Sequence, residues 1–179
     1  MRASGWTGPF GVWGATSREE LDRRLPCDDH VADPDQTLLR AVDVDAPQPH
    51  VFRWLCQLRA APYSYDWLDN RGRRSSRELT PGLERLAAGQ RVLTIFTLAE
   101  FEPGRSITAV HDGRLFGRVA ATYLVEPGRD AQSRIFVRLL VRYPADLKGA
   151  LLSLLLPAGD LVMMRKQLLT LRRCALATA

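Results

Sequence analysis

The sequence predicts an α+β domain in which a curved antiparallel sheet wraps a long C-terminal helix. Three observations predict it. Residues 91–143 alternate apolar and polar side chains and are cut by turn dipeptides, as a meander is. Residues 145–177 are apolar at helical spacing. A strand-like segment, Leu38–Val44, runs directly into a helix-like one, Pro47–Leu58.

The elements follow in order. Residues 1–15 read as an N-terminal arm, pinned by Trp6, Phe10 and Trp13; a single domain follows at 16–179, the natural reading for a chain of 179 residues. Ser17 followed three residues later by Glu20 is a capping box, so a short helix is expected to about Leu25, ended by Pro26. Leu38, Val42 and Val44 share one strand face. Pro47 and Pro49 suit a first helical turn, where the missing N–H has no partner. Val51, Trp54, Leu55 and Leu58 then form one apolar face. Asn70–Gln90 is polar, with Arg71, Arg73, Arg74, Arg77 and Arg85 set against Glu78 and Glu84, and reads as a solvated loop or lid.

Strands are expected at Arg91–Leu98, Ser106–His111, Leu115–Val125 and Ile135–Tyr143. Pro103-Gly104 and Pro127-Gly128 mark turns, and Asp112-Gly113 predicts a two-residue hairpin. Ile135, Val137, Leu139, Val141 and Tyr143 line one face of the last strand; Arg134, Arg138 and Arg142 take the other, with Phe136 and Leu140 between them. In the tail, Pro157-Ala158-Gly159 predicts a break between a short apolar helix and a longer one.

The residues V-D-V-D-A-P at 42–47 with V-F-R-W-L at 51–55, Y-S-Y-D-W-L-D-N at 63–70, G-Q-R-V at 89–92, F-E-P-G-R at 101–105 and L-L-P-A-G-D-L-V-M-M-R-K-Q at 155–167 resemble a bacterial branch of the SRPBCC superfamily. That superfamily includes START-like and polyketide cyclase-like proteins. The resemblance spans about residues 13–176 and implies the helix-grip fold, with a deep hydrophobic cavity between sheet and terminal helix. It implies binding, transport or sequestration of a hydrophobic small molecule. The alternatives are a cyclase, aromatase or dehydratase acting on a hydrophobic carbonyl compound, and a homodimeric or partner-binding module without a ligand. No catalytic motif of the cyclases can be laid on these positions.

Val119, Ala121, Tyr123, Ile135, Val137, Leu139, Val141, Met164 and Leu168 are the expected wall. Tyr63, Tyr65, Asp66 and Trp67 are expected at the mouth, the densest group of chemically capable side chains. They read equally as an aromatic plug with a turn-capping Asp. On a helical wheel, Leu161, Met164, Leu168, Leu171 and Ala175 form one apolar arc; Val162, Leu169 and Leu176 form another. Arg165 and Arg172 lie between the arcs and need partners. An internal acid (Asp66, Asp69 or Glu102), water or a ligand anion would each serve. An enzyme would need an acid–base pair in the cavity, drawn from Tyr63, Tyr65, Asp66 and Arg165.

Composition excludes more than it proposes. The net charge is +5, but all cations except Lys148 and Lys166 are Arg and form no dense run with interleaved aromatics, so no nucleic-acid partner is expected. His30, His50 and His111 and the three cysteines lack ligand spacing, so no metal site and no cofactor are expected. There is no G-x-S-x-G elbow and no phosphate-binding glycine motif. The opening residues show no apolar h-region and the Leu151–Leu156 run is short, so a cytoplasmic protein without stable membrane insertion is expected. That leucine run is expected to pack on the sheet, a dimer contact or a membrane-facing patch being the alternatives.

Overall fold

The computed structural model describes residues 10–15, 17–70, 72–114, 116–128 and 132–179. Trp6 and most of the expected arm lie outside them. The elements are β1 (Val12–Trp13), α1 (Arg18–Asp22), β2 (Gln36–Val44), α2 (Gln48–Cys56), α3 (Asp66–Asp69), β3 (Arg91–Val92), β4 (Phe96–Glu102), β5 (Ser106–Gly113), β6 (Gly117–Pro127), β7 (Ser133–Arg142) and α4 (Leu147–Ala177). They form one seven-stranded sheet in the order β1-β2-β7-β6-β5-β4-β3 with α4 across it. All pairings are antiparallel except β1 with β2.

The α1 capping box forms as read, with Ser17 accepting from the Glu20 amide and Glu20 accepting from the Ser17 amide. The expected strand at 91–98 is two strands. Leu93 and Thr94 adopt φ of 48° and 68°, left-handed values that break the pleat. The hairpin after β5 is also longer than Asp112-Gly113 implies. Both residues stay in β5, Gly113 pairs with Gly117, and the turn lies between them. Gly117 is required there: its φ is +73°, and a Cβ would sit 2.2 Å from the Arg142 carbonyl oxygen.

Period-two alternation gives the sheet two buried faces. On the concave side, Leu38, Val42, Val44, Leu98, Ile107, Val125, Ile135 and Val137 join α2 and the C-terminal half of α4 in the main core. On the convex side, Leu39, Ala41, Ala120, Leu124, Phe136 and Leu140 are covered by Leu25, Cys27 and Val31. Arg138 crosses this second layer to Asp28 at 3.0 Å, and Arg134 pairs with Glu20 and, at 2.7 Å, with Asp43. The segment before β2 therefore acts as a lid on the back of the sheet, although the apolar–polar alternation of residues 91–143 reads as a half-buried meander.

Helix α4 corrects two expectations. It runs unbroken through Pro157, whose ring lies on the buried face and whose cost is one lost hydrogen bond and a local clash. Its first half is not packed on the sheet: Leu147, Leu151, Leu154 and Leu155 are 90%, 57%, 75% and 61% exposed. The helix meets the sheet interior only from Leu156 onward, so the preceding turns overrun it. By length and composition α4 meets the requirement for a bilayer span, yet its second half, from Met164 to Ala175, is held in the core.

Candidate ligand cavity

Under the middle of α4 the concave face is not filled. A cavity of about 580 Å³ lies between sheet and helix. The sheet contributes Phe96, His111, Val119, Ala121, Tyr123, Leu139 and Val141. The helix contributes Leu156, Asp160, Met163, Met164 and Gln167, one stripe at i, i+4, i+7, i+8 and i+11. Pro62, Ser64, Leu68 and Asp69 close one side, and the Leu93–Ile95 turn with Phe116 closes another.

Register explains where the space begins. Across β6 and β7 the inward pairs are Val125↔Ile135, Tyr123↔Val137, Ala121↔Leu139 and Val119↔Val141. At the Val125 end, α2 fills the interior with Val51, Trp54 and Leu55. At the Val119 end the space opens between β6, β7 and α4, and Ala121 contributes little volume to fill it. Ile135, Val137 and Leu168, expected on the wall, are buried in the main core but do not line the space. Val119, Ala121, Tyr123, Leu139, Val141 and Met164 line the space.

The expected mouth group is dispersed. Tyr63 is buried at φ +57°, edge-on to Trp54 with ring centroids 6.0 Å apart, and burial pushes its hydroxyl up to about 12. Asp66 caps the following loop, accepting from the Ser75 amide at 2.9 Å and hydroxyl at 2.5 Å. Tyr65 carries Lys166 at 6.0 Å over its ring, and Trp67 is 74% exposed. Arg165 is exposed too, 5.8 Å from the centre of the Trp13 ring, and Arg172 stands 3.9 Å from Asp45. None of Tyr63, Tyr65, Asp66 and Arg165 lines the cavity, so the acid–base set drawn from them does not form.

A different polar set is present. Asp160 projects from α4, and its Oδ2 accepts from Arg40 Nη2 at 2.6 Å. Arg40 is 1% exposed and also donates to the carbonyls of Gly11 and Leu39. Burial pushes the Asp160 carboxyl up to about 6 against the downward pull of Arg40. Tyr123 donates to Gln167 Oε1 at 2.8 Å; burial, then the nearby Asp160 charge, raise its pKa. Gln167 Nε2 donates to the Pro62 carbonyl at 2.6 Å. Burial also raises Asp69, whose Oδ1 is buried without a partner among the described residues. His111 Nδ1 lies 3.0 Å from the Ile95 carbonyl, between Phe96 and Phe116. The adjoining left-handed pair Leu93 and Thr94 is held by the Leu93 amide donating to the Leu58 carbonyl and by Thr94 Oγ1 donating to the Asp69 carbonyl. Among the described residues no group of three or more metal-ligating side chains comes together.

By sequence, no family model and no curated protein matches the chain. Solved structures do match. TTHA0849 from Thermus thermophilus superposes with a TM-score of 0.55 at 18% identity, covering 80% of this chain and 99% of that one. MLL2253 from Mesorhizobium loti superposes at 0.50 and 14% identity, covering 80% and 98%. The chain shares with them the helix-grip fold, a curved, mostly antiparallel sheet with a long C-terminal helix. At these identities the likeness is one of fold. In helix-grip terms, α4 is the gripped helix, and the cavity lies where sheet and helix part.

Proposed function

We propose that this helix-grip protein binds a hydrophobic small molecule in the space under α4. One observation carries the reading: a cavity of about 580 Å³ with a mostly apolar wall, within the range of small-molecule sites and large for a void in a close-packed domain. Burial on this scale is favourable at about 25 cal/mol per Å² of apolar surface, so a hydrocarbon body of modest size suffices for affinity. Val119, Ala121, Tyr123, Leu139, Val141 and Met164 form the contact surface in this proposal. Carriage or sequestration is the role proposed; the acid–base set of Tyr63, Tyr65, Asp66 and Arg165 that a converting enzyme was expected to use does not line the cavity.

Titration with diphenylhexatriene, an apolar fluorophore, tests this. Saturable binding of one molecule per chain is the expected result. No saturable binding, with the protein folded by circular dichroism, refutes it.

A further inference from the structure

The wall of the cavity is not neutral in its hydrogen bonding. Each of its side-chain donor atoms already serves a protein acceptor, and only Gln167 Nε2 keeps a second N–H. Tyr123 Oη donates to Gln167, Gln167 Nε2 to Pro62, Ser64 Oγ to the Met163 carbonyl at 3.1 Å, and Thr94 Oγ1 to the Asp69 carbonyl at 3.2 Å. The Ile95 carbonyl only accepts, so His111 Nδ1 is the donor in that contact. Asp160 spends Oδ2 on Arg40, while Oδ1 takes no hydrogen bond among the described residues.

The charges point the same way. Asp69 and Asp160 are on the wall, and among the described residues no Lys or Arg is. Arg40 neutralises Asp160 from behind, fully buried and turned to Gly11 and Leu39, so a molecule in the cavity meets the carboxylate and not the guanidinium. A carboxylate offers acceptors only. In an apolar surround it repels a second carboxylate strongly and rewards a donor.

We infer that the cavity selects hydrophobic molecules bearing a hydroxyl or amine, received by Asp160 Oδ1, and rejects those bearing a carboxylate. This rests on the cavity-binding reading above and names the class of ligand it takes. A buried acceptor that is left unmatched by its ligand is costly, which is how one side chain sets selectivity in an otherwise greasy site.

Displacement of bound diphenylhexatriene by decanol, decylamine and decanoic acid tests the inference at neutral pH. The three share one chain and differ only in the polar end. For the wild-type protein, decanol and decylamine are expected to bind at least about tenfold more tightly than decanoate. In Asp160→Asn the gap is expected to close to about threefold or less, each affinity being referred to diphenylhexatriene binding measured on the same variant. Decanoate binding as tightly as decanol in the wild-type protein overturns the inference, as does an unaltered gap in the variant. The wild-type series decides the matter even where the variant fails to fold. If diphenylhexatriene itself does not bind, the cavity-binding reading falls and takes this one with it; if it binds and only the selectivity is missing, the cavity-binding reading stands alone.

Discussion

Replacing Ala121 by Phe separates an open interior from a packed one. Ala121 is 1% exposed and lines the cavity; its register partner on β5, Ala109, is 0% exposed, faces the same side and does not line it. A Phe side chain buries roughly 150–250 Å². Fully burying such a side chain relative to leaving it exposed is worth roughly 1.5–3 kcal/mol, reduced by roughly 1 kcal/mol for the lost rotamer freedom. With 580 Å³ to receive the ring, Ala121→Phe is expected to leave stability unchanged or raise it by up to about 2 kcal/mol. At Ala109 the same ring meets filled space, and overpacking is expected to cost about 1–3 kcal/mol. Urea denaturation of both variants with the wild type reads the difference. Thermal melts should show it as a separation of roughly 2–4 °C per kcal/mol. Equal destabilisation by the two substitutions would mean that the space beside Ala121 is already occupied by protein.

Four further predictions follow from the polar set and the helix. The Asp160 carboxyl is raised to about 6 from its ordinary 3.8, so the folded state holds a proton that the unfolded state releases. Stability from this group is therefore present at low pH and lost as pH rises through about 6. Between about pH 4 and pH 7.5, Asp160→Asn should gain about 2 kcal/mol relative to the wild type, and a parallel pair of stability–pH curves would count against it. Arg40→Met strands a buried carboxylate and should cost about 3–5 kcal/mol, whereas Arg40→Met with Asp160→Leu should recover most of it; equal losses by denaturant titration would show that the pair is not coupled. Joint replacement of Leu147, Leu154 and Leu155 by Gln should change stability by less than about 1 kcal/mol, because these side chains are already in solvent; a loss of several kcal/mol would place them in a packed surface. Arg165→Leu should leave displacement by decanoate and decanol unchanged, since its guanidinium lies over Trp13 and not in the cavity; a selective loss for decanoate would restore it as an anion site.

Periodicity made the sheet and its terminal helix legible, because one apolar face per element is a local property of sequence. Val119, Ala121 and Tyr123, and Leu139 and Val141, follow from alternation alone. What alternation cannot show is which part of an apolar face meets another element and which meets space. Ile135 and Val137 are indistinguishable from Leu139 and Val141 until α2 is placed against them. Arg40 carries a signal that periodicity alone passes over. It sits in phase with Leu38, Val42 and Val44, so an inward cation on an apolar strand requires an inward acid, and Asp160 on the facing helix is that acid. A break at Pro157 hides the pairing, since an unbroken helix puts Asp160 in the middle. The covered convex face has a trace as well: Phe136 and Leu140 among the arginines of β7 are too apolar for a face left in water. The left-handed turn at Leu93 and Thr94 has none, because neither residue favours that conformation and tertiary contacts impose it.

Native mass spectrometry after incubation with decanol probes the space under α4 most directly, read on the wild-type protein and Ala121→Phe side by side. A single bound molecule on the wild-type chain, lost or much reduced on the Phe variant, is the predicted result. Bare wild-type chains at saturating decanol, or identical adducts on both proteins, would contradict a ligand site between the sheet and the helix.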